Sequence, residues 1–153
     1  MASLFMNQED RTRAVEQLFG YTFEDPSLLH KALHLAGSGG SLDGNKSLAQ
    51  VGDAVLRLAL VSEGYEKGMA REHTSRIVDR VGGNDMLTSV GFLHKLDKLV
   101  YKNPSQLGGV PPKPMACTVE ALLGAVYLDS SKSIDTVRQV MSVLGLVWPE
   151  LAN

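Results

Sequence analysis

Two stretches, VGDAVLRLAL at 51–60 and VEALLGAVYLD at 119–129, each place a glycine inside otherwise strong helix-forming sequence. A glycine in a helix interior costs about 1 kcal/mol against alanine, and the usual return is the close approach of a second backbone. Gly52 and Gly124 are therefore expected to mark where these helices cross or pack tightly. Tight packing alone would account for both. The acidic residues add a second reading, because Asp53 follows Gly52 and Glu120 precedes Gly124 by one turn. If the helices cross near the glycines, both carboxylates reach one pocket. Two carboxylates from facing helices suit Mg²⁺, which is often held by only one or two and keeps several waters. The competing reading is solvated charge, since an isolated helical carboxylate is exposed in most proteins.

The remaining chain reads with the same period. Ala14, Val15, Leu18 and Phe19 form one apolar face of a helix over 9–19, with Gly20 placed as its C-terminal cap. Asp25-Pro26 is a helix start, Asp as N-cap and Pro at the first helical position, followed by Leu28, Leu29, Ala32, Leu33 and Leu35. GSGGSLDGN at 37–45 is a flexible loop by composition. A long helix over 46–67 follows, with Leu48, Val51, Val55, Leu58 and Val61 in steps of three and four. The next begins at Arg71 with Ile77, Val78 and Val81 inward, and Gly82-Gly83 breaks it. Asn84 is placed to cap a segment from Met86 to Phe92, with a short piece continuing to Val100. A loop over 102–112 holds three of the six prolines, and helices over 114–128 and 133–144 complete the chain. No alternating run would survive as a strand. The fold class is all-α, a bundle without internal repeats.

At 153 residues the chain is one domain's worth and long enough to bury a core without staples. Its single cysteine, Cys117, rules out an internal disulfide and fits a reducing compartment. A formal charge of −2 excludes a binder driven by a basic tail, so any polyanion would have to meet a local patch. No apolar run approaches the roughly 20 residues of a membrane span. The N-terminus has neither a basic segment followed by an apolar one nor the acid-poor character of a presequence. The expectation is a protein of the cytosol or nucleus with no membrane partner.

The order and separation of GDAVL and EALLGAVYLD make a specific signal, where either alone would be weak. On them the chain resembles the ribonuclease III endonuclease domain. FGYTFEDPSLLHKALHLAG (19–37) looks like the family's opening helices. LAQVGDAVLRL (48–58) resembles its signature helix, usually written LEFLGDAVL. RIVDRVGGNDMLTSVGF (76–92) resembles the segment that follows, and KPMACTVEALLGAVYLD (113–129) resembles the second motif, ADxFEALIGAIYLD. The resemblance implies an all-helical, dimeric fold that cuts double-stranded RNA with Mg²⁺ held by four carboxylates. One helix gives a Glu and an Asp four residues apart, the other an Asp and a Glu three apart, so each pair shares a helix face. Bound metal would deprotonate a water and stabilise charge on the attacking and leaving oxygens.

Matched position by position, Asp53 and Glu120 keep the family's residue, while Ala49 and Cys117 replace the other Glu and Asp. A site charge of about −4 falls to about −2 at neutral pH. Alanine offers no ligand, and a thiolate is soft and prefers Zn²⁺. Lys46, at a position often acidic in the family, is no substitute. Even an outer-shell partner is worth about 10–100-fold in metal affinity or activity, so two direct ligands should matter more. Gln50 stands where the family has a Phe that inserts into the partner subunit. ALHLAG at 32–37 departs from the family's ALTHRS, with His34 one place early and no Ser. There is no room after Asn153 for the double-stranded RNA-binding domain that many relatives append, so one ribonuclease III-like domain is expected, its core about 9–146.

Other candidates carry less. His30 and His34 lie one turn apart, but a metal site needs three or four ligands and no third is visible, so half-buried or surface histidines are expected. Cys117 has no evident base partner and reads as an inert helical cysteine. Lys113 stands where the family often keeps a lysine near the scissile phosphate, with a plain loop lysine as the alternative. Arg71, Arg76, Arg80, Lys95, Lys98 and Lys102 could line an RNA backbone, yet Glu72, Asp79, Asp85 and Asp97 alternate with them, as on a mixed solvated face. No aromatic platform for single strands is apparent. The sequence thus points to a ribonuclease III-like domain associated with binding or processing of double-stranded RNA, a homodimer that lacks normal catalysis, with Mg²⁺ as the cofactor if there is one. The alternatives are an atypical Mg²⁺-dependent endonuclease using Asp53 and Glu120, or a protein-interaction subunit of an RNA-processing or ribosomal complex.

Overall fold

The computed structural model describes residues 6–103 and 108–149. Seven α-helices follow one another among them: α1 (Gln8–Phe19), α2 (Pro26–Leu33), α3 (Lys46–Glu66), α4 (Arg71–Val81), α5 (Asn84–Leu93), α6 (Pro112–Asp129) and α7 (Ile134–Leu144). The all-α class expected from periodicity holds. Residues 104–107 of the proline-bearing loop lie outside the described part.

Helix ends follow local chemistry. Asn7 and Asp10 form a reciprocal capping box at the start of α1, and Gly20 ends it in the left-handed region at φ +63°. Asp25 caps α2 by accepting from the Ser27 backbone N–H at 3.1 Å, with Pro26 at the first position. Ser133 does the same for α7 by accepting from Thr136 N–H.

Three boundaries differ from the sequence reading. α2 stops at Leu33, two residues short of Leu35, because the chain there turns extended and pairs with a distant segment. Leu35 N–H donates to the Tyr101 carbonyl at 3.1 Å, and Tyr101 N–H to the Leu33 carbonyl at 2.9 Å, an isolated parallel bridge. No local pattern announces a pairing across so many residues. α5 is capped by Gly83, and Asn84 is its first helical residue, with no capping bond from its side chain. α6 begins at Pro112, earlier than expected, since a proline at the first position loses no helical hydrogen bond. The glycine-rich 37–45 stretch carries a short 3-10 turn, Ser38–Gly40, and buries Ser38.

α6 is the central helix. Met115, Ala116, Thr118, Val119 and every residue from Ala121 to Val126 are buried, so it is apolar all round rather than along one stripe. α3, α5, α2 and α7 pack about it, with α3 the most intimate neighbour. Its last residue, Asp129, is buried and accepts from Tyr21 Oη at 2.6 Å and from the backbone N–H groups of Glu24 and Asp25 at 2.9 and 2.8 Å. One carboxylate so fixes the α1–α2 connection to the end of α6. Burial and the neighbouring Asp129 push the Tyr21 hydroxyl pKa well up, which keeps it a donor.

The glycine crossing is where the sequence placed it. A Cβ on Gly52 would fall on the Glu120 carbonyl oxygen, and one on Gly124 would fall on the Leu48 carbonyl and stand 3.0 Å from Gly52 N. Two helix backbones therefore touch directly. Gly52→Ala, which would gain about 1 kcal/mol in a free helix, is expected here to cost about 3 kcal/mol or more by overpacking. Urea unfolding of the two proteins measures the difference, and a neutral result would mean that α3 and α6 do not meet at Gly52.

Candidate functional site

The crossing decides what the flanking side chains do. With Gly52 against the Glu120 backbone, Asp53 on α3 and Glu120 on α6 are brought together, as the sequence reading required. They do not meet as two bare charges. Burial, then a hydrogen bond and charge repulsion from Asp53, push the Glu120 carboxyl up to about 8, with the Arg57 guanidinium pulling weakly the other way. At neutral pH the pair holds one proton between its carboxyl groups. Arg57, one turn along α3, sets its Nε 3.1 and 3.3 Å from the two Asp53 carboxylate oxygens. The pair is half exposed, so its energetic worth is small, but its position matters. Arg57 was the functional neighbour that sequence reasoning missed, although its i+4 spacing from Asp53 was visible.

Ala49, one turn before Asp53, is buried at 6% exposure and presents only a methyl group. Cys117 is half-buried on α6. Burial, then the Glu120 charge, raise its thiol pKa, against a pull from Lys113 and Lys46. It is therefore a protonated thiol at neutral pH, neither a ready nucleophile nor a thiolate ligand. Lys46 and Lys113, both exposed, line a cavity of about 230 Å³ with Leu35, Ala36, Asn45, Pro114 and Cys117.

The remaining candidates are placed elsewhere. His30 is held between Thr12 Oγ1 and the Tyr101 hydroxyl, each at 3.0 Å, and His34 bonds Ser38 Oγ at 2.6 Å and stacks on the Tyr101 ring at 4.4 Å. Arg11 covers the same ring, donates to the Leu99 carbonyl at 2.9 Å, and also bonds the Met6 carbonyl. Burial holds both histidines below their usual pKa. This is a joint between α1, α2 and the segment after α5. Arg71, Arg76 and Arg80 are exposed along α4, in the company of exposed Glu72 and Asp79, and Lys98 lies 3.6 Å from Asp97. Their mixed character persists in three dimensions.

The comparisons agree with this architecture. The model of the Ribonuclease III domain family matches residues 46–131, which span α3 through α6 and into the turn after it, and the chain belongs to that family. It is similar to Ribonuclease 3 of Idiomarina loihiensis, 32% identical over 143 residues that cover 90% of this chain and 59% of that protein. Ribonuclease 3 of Bdellovibrio bacteriovorus is 30% identical over 128 residues, 76% of this chain and 54% of that protein. The chain thus spans little more than half the length of these relatives. The nuclease domain of ribonuclease III from Campylobacter jejuni has the same fold, with TM-score 0.74 and 20% identity over 92% of this chain and 97% of that one. A second structure of that domain, with TM-score 0.72, 22% identity and coverage of 86% and 93%, is described as showing flexibility in a region involved in dimer formation.

The residues at the crossing do not fit a four-carboxylate metal shell. Two carboxylates stand at the four matched positions, one of them holding Arg57, with a methyl and a protonated thiol at the others. Among the described residues no three or more His, Cys, Asp or Glu side chains are grouped to hold a metal.

The shared proton has a thermal signature. Glu120 binds its proton more tightly folded than unfolded, so its contribution to stability is present in mild acid and is lost as pH rises through about 8. The melting temperature is expected to fall from about pH 5 to about pH 9 and to do so less in Glu120→Gln, whose amide still donates to Asp53. At about pH 9 the variant should melt higher by about 2–4 °C. Parallel pH profiles of the two proteins would remove the shared proton from the account.

Proposed function

We propose that this chain is a ribonuclease III-type domain that binds double-stranded RNA without carrying out the family's ordinary cleavage. The observation that carries this reading is the crossing of α3 and α6. It is built as a nuclease site would be, yet Ala49 and Cys117 supply no carboxylate and Arg57 holds Asp53. Binding needs only shape and charge, while hydrolysis of a phosphodiester needs the metal shell. Purified protein is expected to leave long double-stranded RNA intact in Mg²⁺ and in Mn²⁺. Ala49→Glu/Cys117→Asp is expected to restore cutting. Cleavage by the wild-type protein that is lost in Asp53→Ala/Glu120→Ala would overturn the proposal in favour of an atypical nuclease that works with two carboxylates.

The proposal includes a homodimer. Ala54, Leu58, Val61 and Tyr65 recur at spacings of four and three on the outer face of α3, in line with Gln50. Leu58, Val61 and Tyr65 are 53%, 47% and 87% exposed, an apolar stripe that a monomer leaves in water. The stripe runs from the position at which the family resemblance places a plug into the partner, and Gln50 there takes the place of an aromatic anchor. Leu58→Glu/Val61→Glu is expected to convert a dimer to a folded monomer, read by light scattering with an unchanged far-ultraviolet dichroism spectrum. A monomeric wild-type protein would remove the dimer and leave the RNA-binding reading to its own test.

A further inference from the structure

The cavity of about 230 Å³ beside the crossing has its own chemistry. It lies where the first turns of α3 and α6 come together. Asn45 and Lys46 come from one helix start and Lys113, Pro114 and Cys117 from the other, and Asn45 Nδ2 donates to Thr118 Oγ1 at 3.1 Å to fasten the two. Neither helix has an acidic residue in its first turn, and neither N-cap side chain makes a capping bond. Both helices are long, 21 and 18 residues, so each brings the positive end of its dipole to the same place. The cavity wall carries two lysines and no carboxylate. Both lysines lie near enough to the half-buried Cys117 thiol to pull on it, against a larger opposing effect of Glu120 from outside the cavity lining. The family resemblance makes position 46 commonly acidic and position 117 an Asp; here they are a cation and a neutral thiol. The sign of this side of the site has been reversed.

We propose that the Lys46–Lys113 cavity is an anion pocket that takes a phosphate group of the RNA backbone directly, with no metal between. This rests on the RNA-binding reading above and names the contact behind it. The cavity is smaller than the roughly 300–1,000 Å³ of pockets for drug-sized ligands, so it fits one anionic group and not a whole nucleotide. Lysine suits the task as a compact point charge on a flexible stem. Fixed donors are few: Pro111, Pro112 and Pro114 have no N–H, so α6 offers that of Lys113 alone, and in α3 the Lys46 N–H is taken by the Asp43 carbonyl, which leaves the rest of its first turn. With a formal charge of −2 overall, the protein has no general attraction for a polyanion, so a local patch of this kind has to supply it.

The test uses Cys117, which lines the cavity and is the chain's only cysteine. Its alkylation rate by a small maleimide is measured alone, with inorganic phosphate, and with a short blunt double-stranded RNA, all in EDTA. Binding of the same RNA is followed by fluorescence anisotropy against salt. Variants are Lys46→Glu, Lys113→Glu, and Lys67→Glu at the far end of α3 as a charge-matched control. The expected result is RNA binding that EDTA leaves unchanged, with Cys117 protected by RNA. Each pocket variant should bind about tenfold more weakly and lower the salt slope by about 1, and the control should do neither. RNA binding that requires Mg²⁺, or that survives both pocket variants with Cys117 unprotected, would overturn the pocket while leaving the RNA-binding reading in place. Protection by inorganic phosphate without RNA binding would show an anion pocket for another source and would sink both. Absence of either effect with a normally melting protein would also sink both.

Discussion

The contact on which the rest of this structure depends is backbone against backbone, at Gly52 on α3 and Gly124 on α6. Without side chains between them, the two helices come close enough for Asp53 and Glu120 to share a proton and for Lys46 and Lys113 to face one cavity. A single Cβ at either glycine would push the helices apart and change each of those distances together. The glycines cost helix propensity, and the surroundings offset it: α6 is buried on every side, so its position is set by packing all round it.

That closeness makes electrostatics at the crossing a question of which cation neutralises which anion. Two carboxylates in partial burial cannot both stay ionised without a compensating charge. Here a proton serves Glu120 and Arg57 serves Asp53. On the other side of the crossing the excess is of the opposite sign, with two lysines and two helix starts around a neutral thiol. The crossing thus presents a divided surface, with the two carboxylates on one side and the two lysines on the other.

Away from the crossing, stability comes from polar joints that the helical pattern does not announce. Asp129 gathers three donors from the α1–α2 connection. Tyr101 is held between Arg11 on one helix and His34 at the end of another, with His30 on its hydroxyl. In both cases the partners come from segments far apart in sequence, so no window of local sequence contains the joint. The same reason explains why α2 ends at Leu33 although its apolar spacing runs on to Leu35. Its periodicity continues, but the backbone beyond Leu33 is claimed by Tyr101.

The sequence by itself determined what depends on near neighbours. Apolar residues every three or four positions specify helices, Gly20 and Asp25-Pro26 specify where they stop and start, and paired motifs around Gly52 and Gly124 specify the family and the crossing. It also shows Ala49 and Cys117 at the two motif positions where the family resemblance expects carboxylates. Only the tertiary structure decided the ionisation of what remained. The proton on Glu120 follows from burial beside Asp53, and the meeting of Lys46 with Lys113 follows from two helix starts converging in space. Charge state and cavity shape depend on distances of a few ångströms between residues far apart along the chain, and folding is what sets those distances.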